Sequence, residues 1–238
     1  MQKILLSFLL TGLLLFCFSQ KQSDNNDAAQ LKNYLAAEKI YLQAERLSLL
    51  AGDNEKIQAT ADEMYQQALA EYTHLIATSG KKNNDSIFFF TRLKTGFINY
   101  YFDSITAAKT DYLIAISLKK QLYSVPDSFL FLPYLYVGGI YYTQNQFDSA
   151  LFYYKKAEQV NDSYENPLNE AERLYNRLGA TFYEAGNYRK ARNYFEKAII
   201  LTNPANNNLL ANYKINLASI PVAAAALDVA ASVASTTS

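Results

Sequence analysis

The sequence predicts an all-α fold, an αα-superhelical solenoid of antiparallel helix pairs, on three observations. The first is a ladder of residue types. Counting from Gly138, aromatics stand at Tyr141, Tyr142 and Phe147, followed by Ala150, Tyr154 and Ala157; from Gly179 the same offsets give Phe182, Tyr183, Tyr188, Ala191, Phe195 and Ala198, 41 residues later. A third copy begins at Gly96, 42 residues before Gly138, with Tyr100, Ala108, Tyr112 and Ala115 in place and only Asn99 and Ile105 breaking the aromatic pattern. The second observation is compositional: 50% of the 238 residues are hydrophobic, while only 8 Gly and 5 Pro interrupt them, which favours long helices with short connections. The third is the placing of small residues. Packed helices approach closely only where side chains are small, a role for Gly96, Gly138 and Gly179 on the first helix of each pair and Ala108, Ala150 and Ala191 on the second. The aromatics four residues beyond those alanines, Tyr112, Tyr154 and Phe195, are expected to fill the space toward the following pair.

Residues 1–19 read as a signal peptide. Lys3 supplies the charge, Ile4 to Phe18 the apolar run and Ser19 a small residue for cleavage before Gln20. About fifteen apolar residues fall short of the roughly 20 that span a bilayer, so no membrane span is expected in the mature chain. Cys17 is the alternative, as a lipoprotein acceptor, although Phe16 stands where a small residue would precede it. With cleavage after Ser19 the mature chain has no cysteine, and the fold must stand on packing.

The solenoid is expected over 20–220, in pairs at about 28–78, 87–122, 128–160 and 168–202, with a partial pair at 207–220. In the first pair Leu31, Tyr34, Leu35, Ile40, Tyr41 and Leu47 recur at helical spacing, and Gly52-Asp53-Asn54 ends the helix. The second helix, Glu55 to about Thr78, contains Ala61, Tyr65 and Ala68 at the ladder's spacing, but counting back to the glycine slot lands on Leu49. A degenerate terminal repeat fits that departure. Ser79 to Asp85 is a polar turn with Asp85 or Ser86 capping the next helix. Asp103-Ser104, Gln144 to Gln146 and Ala185-Gly186-Asn187 break the chain within pairs, Gly186 being suited to a left-handed cap. Pro126, Pro167 and Pro204 disfavour helix in the residues before them and separate one pair from the next. Residues 221–238 form an alanine-rich tail, about a dozen apolar residues interrupted by Asp228.

At these residues the chain resembles the tetratricopeptide repeat family. The family pattern is met by Tyr175, Leu178-Gly179, Phe182, Ala191, Phe195, Ala198 and Pro204, and nearly as well by Tyr134, Val137-Gly138, Tyr141, Ala150, Tyr154 and Ala157. The spacing of 41 residues exceeds the family's roughly 34, implying lengthened helices or linkers. What the resemblance implies is a groove built by first helices, lined three residues before each glycine and one, four and five after it. Here those positions are Leu93, Phe97, Tyr100 and Tyr101; Leu135, Gly139, Tyr142 and Thr143; and Asn176, Ala180, Tyr183 and Glu184. Tyr100, Tyr142 and Tyr183 thus repeat at one place per pair. Such a column suits an apolar peptide segment, and the positions lack the Lys or Arg that would clamp a carboxylate.

Chemistry of other kinds finds little material. His74 is the sole histidine and no cysteine lies beyond Cys17, so neither a zinc site nor a Cys/His or Ser/His pair is expected, and no cofactor. Gly138-Gly139 lies within a helical pattern and lacks the Lys-Ser or Lys-Thr of a phosphate loop. Asn84-Asp85-Ser86 and Asn161-Asp162-Ser163 fit glycosylation acceptors but sit where turns are expected. Lys plus Arg equals Asp plus Glu at 22 each, which gives no global field toward nucleic acid.

The leading expectation is therefore a non-enzymatic scaffold, exported to the periplasm or beyond, that binds a protein or peptide segment. One alternative follows from a resemblance to the amino-terminal repeat scaffolds that precede caspase-like (CHAT) or histidine-kinase modules: a regulatory or sensory part of an enzyme whose catalytic module lies off this chain. Another is a surface-anchored glycan-binding protein.

Overall fold

The computed structural model describes residues 25–78 and 85–220. The expected leader with Cys17, the tail 221–238 and most of the Ser79 to Asp85 turn lie outside the described residues. Among the described residues every regular element is helical: α1 (Asn25–Ala51), α2 (Glu55–Thr78), α3 (Asp85–Tyr101), α4 (Ile105–Lys119), a 3-10 turn (Asp127–Leu130), α5 (Phe131–Thr143), α6 (Phe147–Asp162), α7 (Ala171–Glu184), α8 (Tyr188–Leu201) and α9 (207–220). No helix among them is long and apolar enough to cross a membrane. The fold class is the expected all-α αα-solenoid. Where the sequence reads as one array over 20–220, the chain divides into two compact units after Pro126.

In both units the pairs are closed by the same device. Gly52, Asp103, Asn145 and Gly186, one in each turn within a pair, adopt left-handed backbone with φ of 50°, 57°, 58° and 70°. Only Gly186 is singled out by the sequence, but Asp and Asn also visit this region because a short polar side chain can bond locally. At the last three of these caps the amide of the following residue reaches back to a first-helix carbonyl: Ser104 to Asn99 at 2.8 Å, Gln146 to Tyr141 at 2.9 Å and Asn187 to Phe182 at 2.8 Å. The cap's own amide bonds the carbonyl of Tyr100, Tyr142 or Tyr183 at 3.1, 3.0 and 2.9 Å. These are the bonds that satisfy orphan carbonyls at a helix end.

The small-residue argument holds with one correction. A Cβ placed on Gly96, Gly138 or Gly179 would lie 2.9, 2.6 or 2.5 Å from a ring carbon of Tyr112, Tyr154 or Phe195 respectively. Each ring therefore seats on the glycine of its own pair, a contact missed by the expectation that it fills space toward the following pair. The alanines Ala108, Ala150 and Ala191 are fully buried as expected.

Unit 1 holds α1 to α4. The buried stripe of α1 is Tyr34, Ala37, Tyr41, Ala44 and Ala51. The leucines Leu31, Leu35 and Leu47 are only half-buried, and Leu49, at the counted glycine slot, is 48% exposed. Alanine takes the close approach here because its methyl fills what the long leucine side chain would overfill. The core also contains charge. Glu38 on α1 accepts hydrogen bonds from Tyr34 (3.1 Å), Tyr72 of α2 (2.6 Å) and Lys94 Nζ of α3 (2.9 Å), and that ammonium sits 3.7 Å from the centre of the Tyr41 ring. Between α3 and α4, Asp111 accepts from Arg92 at 2.6 Å and Asn99 at 3.0 Å.

Unit 2 holds α5 to α9. Its core runs through Phe131, Leu135, Tyr154, Leu174, Leu178 and Phe195 to Tyr213 and Ile220. Among the described residues its polar links between helices include no ion pair of the kind that Glu38 makes with Lys94. Asn161 donates to Tyr175 Oη at 3.1 Å and accepts from Leu168 N at 2.9 Å, tying the end of α6 to the start of α7. Lys155 of α6 donates to Tyr194 Oη of α8, and rings close the last pair: Tyr194 stacks on Phe182 (5.5 Å, 1°) and Tyr175 (6.2 Å, 17°) of α7.

Candidate functional site

The first-helix positions nominated from the sequence divide by unit. In unit 1, Leu93 and Tyr100 are half-buried on α3. Phe97 packs on Tyr41 (5.9 Å) and Tyr65 (6.3 Å), and Tyr101 on Tyr65 (5.0 Å). The Tyr101 hydroxyl donates to Asp62 at 2.6 Å and accepts from Gln58 at 2.6 Å. Burial, then the Asp62 carboxylate, pushes that hydroxyl up to about 12. Phe97 and Tyr101 thus serve the contact of α3 with the first pair, which offers two tyrosine rings to pack against.

In unit 2 the nominated residues gather on α5 and α7, except that Leu135 is 3% exposed and belongs to the core. Tyr142, near the end of α5, is half-buried, its ring edge-on to Phe147 at 5.5 Å. Tyr183 on α7 repeats the arrangement with Tyr188 at 5.4 Å. Both lean on the first residue of their partner helix, so the turn fixes where each ring stands. Thr143 is exposed and donates to Ile140 O at 2.9 Å; Glu184 is exposed; Gly139 and Ala180 are half-buried. Asn176 Oδ1 accepts from Asn216 Nδ2 of α9 at 2.9 Å, which joins the last two first helices by an amide pair.

One further residue enters this face that the sequence did not nominate. Arg177 on α7 is half-buried and makes no ion pair with any described residue. Its charge reaches the Tyr142 hydroxyl, whose proton affinity rises through burial and Glu184 and is lowered by Arg177. Tyr213 on α9 belongs to the core, 3% exposed, and its hydroxyl is buried without a hydrogen-bond partner among the described residues. Burial, then Glu172, pushes it up to about 12, against the lowering charges of Arg173 and Arg177. An unpartnered buried hydroxyl costs about 1–3 kcal/mol, and a half-buried guanidinium retains donors to give. Arg177 stands two residues before Gly179, an offset that the family positions skip. It supplies the cation those positions lack.

A concavity of about 450 Å³ opens where α6 joins α7, lined by Asn161, Asp162, Tyr164, Tyr175, Lys197 and Ile200 among others. Its polar groups are mostly spent. Asp162 and Asn161 bond Tyr175, Tyr164 accepts from Ser128 N, and Lys197 lies over the Tyr175 ring. The first-helix face of unit 2 keeps more unspent chemistry.

Comparison with known proteins bears on the same region. Residues 129–201, α5 to α8 with the turn before them, match the tetratricopeptide repeat model. The crystal structure of BtubC (BKLC) from P. vanneervenii is similar over 83% of this chain and 85% of its own, at 16% identity and a TM-score of 0.59. A Pyrococcus horikoshii signal-transduction ATPase with a tetratricopeptide repeat sensor is 20% identical over 77% of this chain and 26% of its own, with a TM-score of 0.48. MamA is 17% identical over 75% of this chain and 95% of its own, with a TM-score of 0.43. No curated protein matches the sequence.

Proposed function

We propose that this chain, which carries tetratricopeptide repeats across residues 129–201, is a non-enzymatic scaffold of the cell envelope that holds a protein or peptide segment on the first-helix face of its second unit. The observation that carries the reading is unspent polar capacity on that face. Arg177 is half-buried and has no ion pair among the described residues, and its charge reaches the half-buried Tyr142. A segment presenting an acidic group to Arg177 and an apolar or aromatic side chain to Tyr142 and Tyr183 would use both. Placement in the envelope is supported by Lys3 and the apolar run that follows it.

The test begins with affinity capture from the envelope of the producing cell, followed by titration of the captured segment against Tyr142→Ala and Arg177→Ala. Each should weaken binding about tenfold, near 1.4 kcal/mol, while the thermal melt stays close to the parent's. Unchanged affinity per folded molecule in both variants would remove this face from the binding surface. Amino-terminal sequencing of the native protein tests the location: a start near Gln20 supports it and an intact Met1 refutes it.

A further inference from the structure

Two helices carry charge that no ion pair among the described residues takes up. On α2, Glu55, Asp62, Glu63 and Glu71 stand against Lys56 alone; on α8, Arg189, Lys190, Arg192 and Lys197 stand against Glu196 alone. Asp62 is engaged by Tyr101, but Glu55, Glu63 and Glu71 are exposed, and so are all four cations of α8. None of those seven charges joins an ion pair among the described residues. The two excesses are equal and opposite, four against one in each helix, in a chain that carries 22 basic and 22 acidic side chains. A chain with so little net charge lacks the self-repulsion that keeps copies apart, and these two local excesses lie on separate units, each of which is within one charge of neutral as a whole.

We propose that the acidic face of α2 in one copy docks on the basic face of α8 in another. The α8 side is pre-ordered: Lys190 lies 5.1 Å over the Phe182 ring and Lys197 5.1 Å over Tyr175, so both ammoniums are held in place before contact. It also has an apolar element in Ile200, 80% exposed beside Lys197. The α2 face answers with the exposed alanines Ala59, Ala70 and Ala77, which leave room for that side chain between the carboxylates. Because donor and acceptor faces differ, the contact is heterologous and joins copies head to tail, as an open chain or a closed ring. It uses second helices and so stands apart from the segment-binding face.

Sedimentation velocity of the full mature chain over a range of concentrations tests this. Association should be visible at low salt and weaken about tenfold or more between roughly 0.02 and 0.5 M salt, because exposed charges are screened within a few ångströms there. Glu63→Lys with Glu71→Lys should sediment as monomer, as should Arg189→Glu with Lys197→Glu. Mixing those two variants, each first shown to be folded by circular dichroism, should restore association, since each reversed face then meets its complement. A monomeric parent at all concentrations, association that survives both reversals, or a mixture that stays monomeric would each overturn the proposal. So would a monomeric parent that pellets with phosphatidylglycerol vesicles through Arg189 and Lys197, in favour of a lipid surface.

Discussion

The two units solve one packing problem with different chemistry. In both, the close approach within a pair is a ring seated on a glycine: Tyr112 on Gly96 in unit 1, Tyr154 on Gly138 and Phe195 on Gly179 in unit 2. The way neighbouring pairs are joined differs. Unit 1 ties α1, α2 and α3 through the carboxylate of Glu38, whose side chain is 2% exposed, and its partner Lys94, 11% exposed. Unit 2 joins α6 to the last pair through the neutral amide of Asn161, which donates to Tyr175, and through Lys155, which donates to Tyr194; its ion pairs, Lys155 with Glu158 and Arg173 with Glu170, leave their cations 42% and 44% exposed. The contact inside a pair is fixed by backbone approach, which only a small residue permits; the contact between pairs is made by side chains and is free to change. Only the unit 2 region matches the family model, and among the described residues it is the unit without an ion pair buried on both sides.

Three experiments would break or sharpen that contrast. The largest effect is expected from Lys94→Met, which leaves the Glu38 carboxylate buried without its cation and should cost about 3–5 kcal/mol, toward the lower end because two tyrosine hydroxyls remain. Denaturant melts of Lys94→Met and Glu38→Gln/Lys94→Met measure it, the double variant recovering much of the loss. If the single variant melts like the parent, unit 1 does not depend on its buried pair. Next, Gly138→Leu should cost about 1–3 kcal/mol by driving a side chain into the Tyr154 ring, with helix content retained in unit 1. Native hydrogen exchange would show whether the loss stays within residues 127–220.

The smallest effect concerns alkaline pH. Tyr34, Tyr41 and Tyr72 in unit 1 hold their protons well above the ordinary tyrosine value, through burial first and then the carboxylate field of Glu38 or, for Tyr41, of Glu45. In unit 2, burial first and then Asp162 push Tyr175 up to about 12. A raised folded value means that the unfolded chain loses the proton first, so the stabilisation is complete below about pH 10 and is lost as pH climbs through the folded values. Unit 1 should therefore lose stability more steeply than unit 2 above pH 10. Site-resolved exchange at pH 9 and at pH 11 tests the order, and equal losses in the two units would remove the contrast.

Much of the architecture was legible because its determinants are periodic. A glycine that admits a ring recurs once per pair and leaves the 41-residue ladder in the sequence, and Glu55 to Thr78 was read as a helix with its ends in place. The glycine-seated rings were found as residues but their seat was misplaced, since periodicity gives the face of a helix and not the atom beneath it. Less of the candidate site was legible. Positions carried over by offset reached Tyr142, Asn176 and Tyr183 but passed over Arg177, and Tyr213 gave no sign of an unpartnered hydroxyl, because hydrogen-bond satisfaction depends on neighbours distant in the chain. Phe97 and Tyr101 carried the same offsets into a unit where Tyr41 and Tyr65 were available to pack against.

The repeated turns have a consequence for how such a surface can change. At Tyr100, Tyr142 and Tyr183 it is the main-chain carbonyl that receives the cap amide. That bond is indifferent to the side chain, so these three sites can be rewritten without loosening the corner that presents them. A lineage could exchange one bound segment for another by substitution at the rim while the corners stay put, and recognition could then drift among relatives whose backbones still superimpose.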